Sequence, residues 1–558
     1  MHKYKSLSFA EIIPDVVSKY AQNNALGFVD EQPLTYAQMG KRINAVMAFL
    51  ENLGVKPGDR VVIFSQNMPN WGVAYFAMLS MGVVAVPVLP DFNKHELHNV
   101  LEHSEAKAIF ISQSLKYKLD EVKINFAENV VNIENFEIIE GKNQSLVFDE
   151  DKKPKGTYAP DENELAILLY TSGTTGNSKG VMLSQKNVII NAFQSGGVQK
   201  IEDNYRFLSV LPLAHTYENT IGLILPILYG AGVTYLRKPP TASVLLPAMK
   251  KVKPDFMLTV PMIIEKVYKN SILSKIQAKP ITKFLHKFKP TRKLLYGIAG
   301  KKLYETFGGN LKFFGIGGAK LDGVVEQFLR DAKFPYAIGY GLTETSPLLA
   351  GANPTETKLQ AIGPKVMQCE VIINNPDPVT GEGEIWAKGP NIMLGYYKNE
   401  AQTKEVMTDD GWFKTGDLGV FDKDGWLSHK GRLKNMIVGA NGENIYPEEI
   451  ESLINNFEYV VESIVVEKKG KLVAMVHFNR EEMEKRIMSM KADISHIIDE
   501  KIDEITKKVD DTIEELAVEL QLYINTRVNK FSRIQSLVVH NDPFKKTATK
   551  KIKRYLYY

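Results

Sequence analysis

The chain has one cysteine, four tryptophans, no strong excess of charge of either sign, and no uninterrupted apolar run suited to crossing a bilayer. Cys369 has no partner for an internal disulfide, which fits a reducing compartment and an expected cytoplasmic location. A lone cysteine of this kind reads as a small buried hydrophobe rather than a nucleophile. Lysine and arginine number 69 against 65 aspartates and glutamates, a formal net charge of +4, so no whole-molecule field argues for nucleic acid. Met1 to Leu7 contains no signal-peptide core. The best candidate for a span, Trp71 to Leu89, is broken by Ser80-Met81-Gly82 and Pro87 and reads as a helix followed by a β-branched strand, Val83 to Val88.

What is present is ordinary globular material: 558 residues, 44% hydrophobic and 24% charged, too long for one hydrophobic core. Thr35 with Gln38 at the capping-box position opens a helix carrying Ile43, Val46, Phe49, Leu50 and Leu53, and Gly54 stops it. Apolar runs at Val61 to Phe64, Val83 to Val88 and Ala108 to Ile111, separated by helical patterns, predict a mostly parallel sheet covered on both faces. The same rhythm returns between Leu165 and Gly341. Beyond about residue 355 come short strands and turns such as Pro378 to Gly381 and Asp422 to Gly425, a β-rich module. A smaller unit starts at Gly431, with a strand at Leu472 to His477. Its long helical pattern steps from Ile487 through Ile498, Val509 and Leu520 to Ile524, as core packing, an αα-hairpin or a coiled-coil surface.

The strongest chemical signal is Leu168-Leu-Tyr-Thr-Ser-Gly-Thr-Thr-Gly-Asn-Ser-Lys-Gly180. A strand runs into a loop of hydroxyl residues and glycines that ends in a lysine. Glycine lets backbone N–H groups approach phosphate oxygens, the hydroxyls of Thr171, Ser172, Thr174 and Thr175 donate to them, and Lys179 adds a positive charge. Gly176 is not followed directly by Lys-Ser/Thr, so the order differs from a Walker A loop.

This segment resembles the phosphate-binding signature of the adenylate-forming superfamily, which includes acyl-CoA synthetases, peptide-synthetase adenylation domains and luciferases. The resemblance continues in order through Leu211-Pro-Leu-Ala-His215, Gly317-Gly318-Ala319, Gly339-Tyr-Gly-Leu-Thr-Glu344, Trp412 to Asp417, Gly431-Arg432-Leu-Lys434 and Gly442 to Ile450. It implies that Thr171, Ser172, Gly173, Thr174, Thr175, Gly176 and Lys179 cradle the phosphates of ATP. It further places Gly318, Ala319 and Gly341 along the adenine segments, stacks Tyr340 on adenine, and brings Thr343 to the phosphate. Glu344 with Thr171 would bind Mg²⁺. Asp417 would hold the ribose hydroxyls with Arg432 nearby, and His215 would sit by the substrate carboxylate, although alone it reads equally well as a satisfied core histidine. Near the C-terminus, Thr547-Ala-Thr-Lys-Lys-Ile-Lys553 resembles the segment of the catalytic lysine, assigned to Lys551, with Lys550 the alternative.

The implied architecture is α/β: a large N-terminal body of two α/β sheets with a β-barrel-like part over 1–430, then a small mobile α+β lid over 431–558. The hinge falls near 432–434 at Lys434, the long helical segment at about 483–530, and the Gly439 to Gly442 loop faces coenzyme A. The implied reaction is carboxylate plus Mg·ATP giving acyl-AMP and pyrophosphate, then transfer to the coenzyme A thiol. Leu211 to His215, Glu218-Asn219 and Val260 to Lys266 most resemble long-chain fatty acyl-CoA synthetases. Ile221 to Leu228 would suit an alkyl tunnel or a buried helix. No fused carrier domain is visible, which favours coenzyme A over an in-line peptide synthetase. Transfer to an acyl-carrier protein, and a non-catalytic adenylate-binding scaffold, are the alternatives. Independently of any resemblance, Lys266 to Tyr304 holds eleven lysines or arginines and no acidic residue, interleaved with Phe284, Leu285, Phe288 and Leu294. Such a stretch suits an anionic lipid surface, coenzyme A phosphates or an acidic carrier protein, or forms a solvated basic face.

Overall fold

The computed structural model describes residues 4–120, 122, 127–171, 179–438, 444–468, 470–491, 501–547 and 551–558, with the backbone alone at 486–491 and 501–506. Ser172, Gly173, Thr174, Thr175 and Gly176, Gly439 and Gly442, Lys550, and the stretch 492–500 of the helical pattern lie outside the described residues. The chain divides into two compact units. The first comprises 1–374, 385–415 and 421–428, and the second 375–384, 416–420 and 429–558.

Among the described residues the first unit is built on two eight-stranded sheets. One runs in the order Gly395–Tyr396, Lys179–Ser184, Leu165–Thr171, Val84–Val88, Arg60–Phe64, Ala108–Ile111, Asn129–Asn132, Ile138–Gly141. Its middle strands are parallel, with Val62 opposite both Val86 and Ile109. The other runs Leu348–Gly351, Tyr336–Gly341, Phe313–Ile316, Phe256–Thr259, Arg206–Ser209, Gly232–Tyr235, Asn24–Phe28, Leu34–Thr35. Both are parallel inside and antiparallel at the edges. Burial on both faces explains why the inner strands are continuous runs of Val, Ile, Phe and Ala rather than alternating patterns.

Helix Tyr36–Asn52 starts as its sequence predicts: the Gln38 N–H donates to Thr35 Oγ1 while Gln38 Oε1 accepts from the Thr35 N–H. Trp71 to Leu89 becomes helix Pro69–Met81 and strand Val84–Val88. Every residue of that helix from Asn70 to Met81 is buried, so its apolarity reflects a position inside the core. No helix among the described residues is long and apolar enough to cross a membrane. The β-rich region supplies a sheet in the order Glu370–Asn374, Gly383–Lys388, Phe413–Phe421, Leu427–Arg432. Its turns use Gly381 and Gly425, both in the left-handed region that favours glycine.

In the second unit, Val460–Lys468, Lys471–Phe478 and Ser536–Val539 form a three-stranded sheet, antiparallel then parallel. Helices Pro447–Asn455 and Lys501–Asn525 contribute to its core, where Ile450, Ile454, Val465, Val476, Val509, Ile513, Leu520 and Ile524 are buried together. The periodic apolar face therefore packs within its own unit from Val509 onward. Arg480 at the start of helix Arg480–Lys491 pairs with Asp510 at 2.7 Å, tying the two long helices together.

Candidate active site

The apolar strand Leu165–Thr171 and the returning strand Lys179–Ser184 are antiparallel neighbours, with Thr171 directly opposite Lys179 and Tyr170 opposite Gly180. Both ends of the glycine-rich segment are thereby fixed beside each other. Lys179 opens the return strand rather than closing a free loop. A Cβ at Gly180 would fall 2.9 Å from the end of the Leu168 side chain and 3.3 Å from Tyr397 Cβ, so the backbone here is closely packed. At the far end of the strand, the Asn187 N–H donates to Ser184 Oγ, and helix Gln185–Val198 begins there.

A two-residue strand, Gly395–Tyr396, adds to this hairpin, with Tyr396 opposite Val181. The Tyr397 N–H donates to the Gly180 carbonyl at 2.8 Å, and the Leu394 N–H to the Met182 carbonyl at 2.9 Å. The Tyr396 hydroxyl donates to Glu344 Oε1 at 2.9 Å, and its ring lies 5.2 Å from Lys179 Nζ. The Met393 N–H donates to the Glu344 carbonyl at 2.9 Å. One short segment thus holds Glu344 by backbone and by carboxylate while presenting an aromatic ring to Lys179. Tyr396 has no place in the sequence-derived set. Only the Gly-Tyr-Tyr after the apolar run Ile392-Met393-Leu394 hinted at it, and a two-residue strand gives no periodic signal.

Glu344 belongs to the turn Thr343–Thr345 that follows strand Tyr336–Gly341. Gly341 is required there, because a Cβ would sit 1.7 Å from the Pro347 carbonyl oxygen. Tyr340 lies opposite Ala350 in the edge pairing. The Leu342 N–H donates to Thr345 Oγ1 at 2.9 Å, and Asn391 Nδ2 donates to the Thr345 carbonyl at 2.9 Å.

The His215 segment follows strand Arg206–Ser209. Asn67 clamps it: Nδ2 donates to Ser209 Oγ and the Leu211 carbonyl, and Oδ1 accepts from the Leu213 N–H at 2.9 Å. His215 is half-buried, and its Nδ1 accepts from the Tyr217 N–H at 3.3 Å. The Tyr217 ring packs against Gly317, where a Cβ would come within 3.1 Å of it. The His215 and Gly317-Gly318-Ala319 segments are therefore neighbours, and Gly318 takes a left-handed turn conformation. Glu218 is fully buried in the wide helical turn Glu218–Ile224, and burial pushes its carboxyl up to about 8 against opposing hydrogen bonds from Ser209 and Leu211. Ile221 to Leu228 lies in the main core as helix.

In the second unit, Asp417 is buried and lies 2.8 Å from Arg432 Nε, with His429 Nε2 at 3.5 Å. Lys434 sits in the turn Leu433–Asn435, where Asn435 Nδ2 donates to Glu448 at 2.7 Å. Lys551 is exposed. Its carbonyl accepts from the Thr547 N–H at 2.8 Å, its N–H donates to Thr547 Oγ1 at 3.2 Å, and Lys546 bridges Ile552.

Among the described residues no group of three or more His, Cys, Asp or Glu side chains gathers to hold a metal. Glu344, one carboxylate with an oriented oxygen, and the hydroxyl of Thr171 suit Mg²⁺, which takes few protein ligands beside phosphates and water.

The AMP-binding enzyme family model matches residues 14–397. The chain is 29% identical to a long-chain-fatty-acid–CoA ligase of Mycobacterium bovis over 78% of this chain and 75% of that one. It is 27% identical to fatty acyl-CoA synthetase A of Dictyostelium discoideum over 92% of this chain and 82% of that one. Among solved structures, O-succinylbenzoate coenzyme A synthetase of Bacillus subtilis in complex with AMP superposes with a TM-score of 0.74 at 22% identity, covering 98% of this chain and 97% of that one. An anthranilate CoA ligase in complex with anthranoyl-AMP does so with a TM-score of 0.76 at 18% identity, covering 98% and 96%. The two solved structures share the fold, and the match over 14–397 shows that the chain belongs to the AMP-binding enzyme family.

Proposed function

We propose that this protein is an acid–thiol ligase that activates a long-chain fatty acid as acyl-AMP and passes the acyl group to coenzyme A. The observation that carries the adenylation reading is the meeting of the Thr171–Lys179 hairpin with Glu344 through Tyr396. A carboxylate attacking an α-phosphate is one anion approaching another, so cation and donors must stand around the phosphates. Lys179 supplies the cation, and Thr171 with the segment after it supplies hydroxyls and N–H groups. Glu344 and Thr171 would hold Mg²⁺, which would supply positive charge against the phosphates. Tyr396 keeps the Glu344 carboxylate aimed, and Asp417 with Arg432 is suited to the ribose hydroxyls. Burial leaves Glu218 largely protonated at neutral pH, so it adds no negative charge beside the carboxylate-handling segment.

In the first step a carboxylate oxygen of the acid forms a bond to the α-phosphorus, and the bond to the bridging oxygen breaks, releasing pyrophosphate. In the second, the coenzyme A sulfur bonds to the acyl carbon as AMP leaves with the former carboxylate oxygen, and the thiol proton passes to solvent. Lys551 stabilises charge in the first step, and the lid turns about Lys434 to bring the Gly439 to Gly442 loop into use for the second. The fatty acid assignment draws on the two relatives named for such acids.

Pyrophosphate release with ATP, Mg²⁺ and a panel of acids, with and without coenzyme A, tests this for wild type and Lys551→Ala. Release that needs a long-chain acid, ends in acyl-CoA, and falls at least about a hundredfold in Lys551→Ala supports the reading. Release that yields thioester only on a carrier protein moves the acceptor, and absence of release with any acid overturns adenylation itself.

A further inference from the structure

The stretch from Pro261 to Thr306 folds as a run of short helices ending in Lys289–Thr306, and it is sharply two-faced. Its inner face is fixed: Tyr268, Ile272, Ile276, Tyr296 and Leu303 are buried with Phe328. The Tyr268 and Tyr296 hydroxyls lie 2.7 Å apart, and His286 Nε2 is 2.9 Å from the Tyr296 hydroxyl. Pro280 and Pro290 begin the helices Pro280–Leu285 and Lys289–Thr306, and the Thr282 and Thr291 hydroxyls donate to the Lys279 and Phe288 carbonyls. The outer face is therefore displayed on a rigid base.

That face leaves large apolar side chains in water: Ile281 is 74% exposed, Phe284 59%, Phe288 51%, Leu294 67% and Ile298 65%. Phe284 and Phe288 touch edge to face, 5.2 Å between ring centres, so they form one patch. The exposed Lys279, Lys283, Lys287, Lys289 and Lys293 alternate with them. No acidic residue occurs from 266 to 304. Apolar side chains of this size left in water mark a binding surface, and interleaved lysines fit a layer of anionic headgroups above acyl chains. A charged protein partner would satisfy the lysines but leave the phenyl and aliphatic groups wet.

We propose that this face, Lys279 to Ile298, docks the enzyme on an anionic lipid bilayer. The lysines meet headgroup phosphates, and Phe284, Phe288 and Leu294 enter the acyl boundary. The proposal deepens the fatty acid reading, since an acid of that class partitions into the same bilayer, but the docking rests on this face alone.

The test is co-sedimentation of the full chain with vesicles of phosphatidylcholine alone, or with about one third phosphatidylglycerol, at low salt and at about 0.5 M salt. Wild type, Lys283→Glu/Lys287→Glu and Phe284→Ser/Phe288→Ser are compared. Retention about tenfold or more above neutral vesicles is expected, reduced at least about tenfold by high salt and by either variant. Pyrophosphate release with a water-soluble acid, measured without vesicles, should be unchanged in both variants. No retention on anionic vesicles at low salt, equal retention on neutral vesicles, indifference to both variants, or capture only by an acidic carrier protein would each overturn the proposal. The vesicle-free assay reports on the catalytic reading separately.

Discussion

Replacing Tyr396 by phenylalanine isolates one hydrogen bond in the proposed site. The ring beneath Lys179 stays, 5.2 Å from Nζ, while the hydroxyl 2.9 Å from Glu344 Oε1 is lost. A hydrogen bond to a charged group contributes about 1.5–3 kcal/mol net, and Glu344 is only half-buried, so the lower end applies. About 1.5 kcal/mol corresponds to roughly a tenfold loss in kcat/KM for ATP. Tyr396→Ala also removes the face offered to Lys179, which adds about 0.5–1 kcal/mol, or a further few-fold. The assay is acid-dependent pyrophosphate release across ATP and Mg²⁺ concentrations, with melting temperature as control. The Phe variant should need more Mg²⁺ for half-maximal rate, because the Glu344 carboxylate loses the hydrogen bond that orients it. Combined with Glu344→Gln, Tyr396→Phe should cost almost nothing more, since the hydroxyl acts through that carboxylate. If the Phe variant matches wild type at all Mg²⁺ concentrations, or the two losses simply add, then the contact is packing and the placement of Mg²⁺ at Glu344 loses its support.

Gly341→Ala forces a methyl to within 1.7 Å of the Pro347 carbonyl oxygen, so the turn bearing Glu344 must move. A loss of about 3 kcal/mol or more in thermal or urea unfolding is expected, together with loss of adenylation. Asp417→Asn leaves Arg432 and His429 without the buried charge they flank, and should raise the KM for ATP about tenfold or more with a smaller change in the rate at saturation. Glu218→Gln tests the buried carboxyl through pH. Burial raises Glu218 from an ordinary 4.5 to about 8, so between these values the folded chain keeps a proton that the unfolded chain has released, and stability falls as pH rises. The full span amounts to up to about 5 kcal/mol. The glutamine variant, always neutral, should therefore gain on wild type in melting temperature from pH 5 to pH 8. An equal difference at both pH values would show Glu218 ionised in the fold.

Much of this was legible in the chain because local rules and burial agree. The Thr35–Gln38 cap, the helix and strand from Trp71 to Leu89, and the runs at Val61, Val84 and Ala108 are each specified within a few residues, and burial on both faces removes the ambiguity of alternation. Glycines carried information of the same kind, since Gly318 and Gly425 sit where only a left-handed turn continues the chain. What was not legible depends on pairings between distant segments. Asn24–Phe28 crosses to lie beside Gly232–Tyr235, and nothing in either strand names the other. Tyr396 reaches Glu344 across 52 positions through a strand of two residues, too short to carry a period.

The wide turn Glu218–Ile224 shows the same limit within a single helix. Its apolar residues fit a regular helical period, yet the helix is widened where Glu218 and Gly222 press together, a Cβ at Gly222 falling 2.7 Å from the Glu218 carboxyl. A protonated carboxyl beside a glycine fits where a charged, hydrated one would not. Widened turns of this kind recur at functional sites, because they are retained against their cost only where the surroundings demand them. Here the surroundings are the Asn67 clamp on Ser209 and Leu211, the same two residues that hydrogen-bond Glu218, and the clamp in turn fixes the loop bearing His215. The buried acid and the histidine are thus held by one network. A change at Asn67 should disturb the placement of His215 and the protonation of Glu218 together, whereas a purely local helix defect would leave the histidine segment as it is.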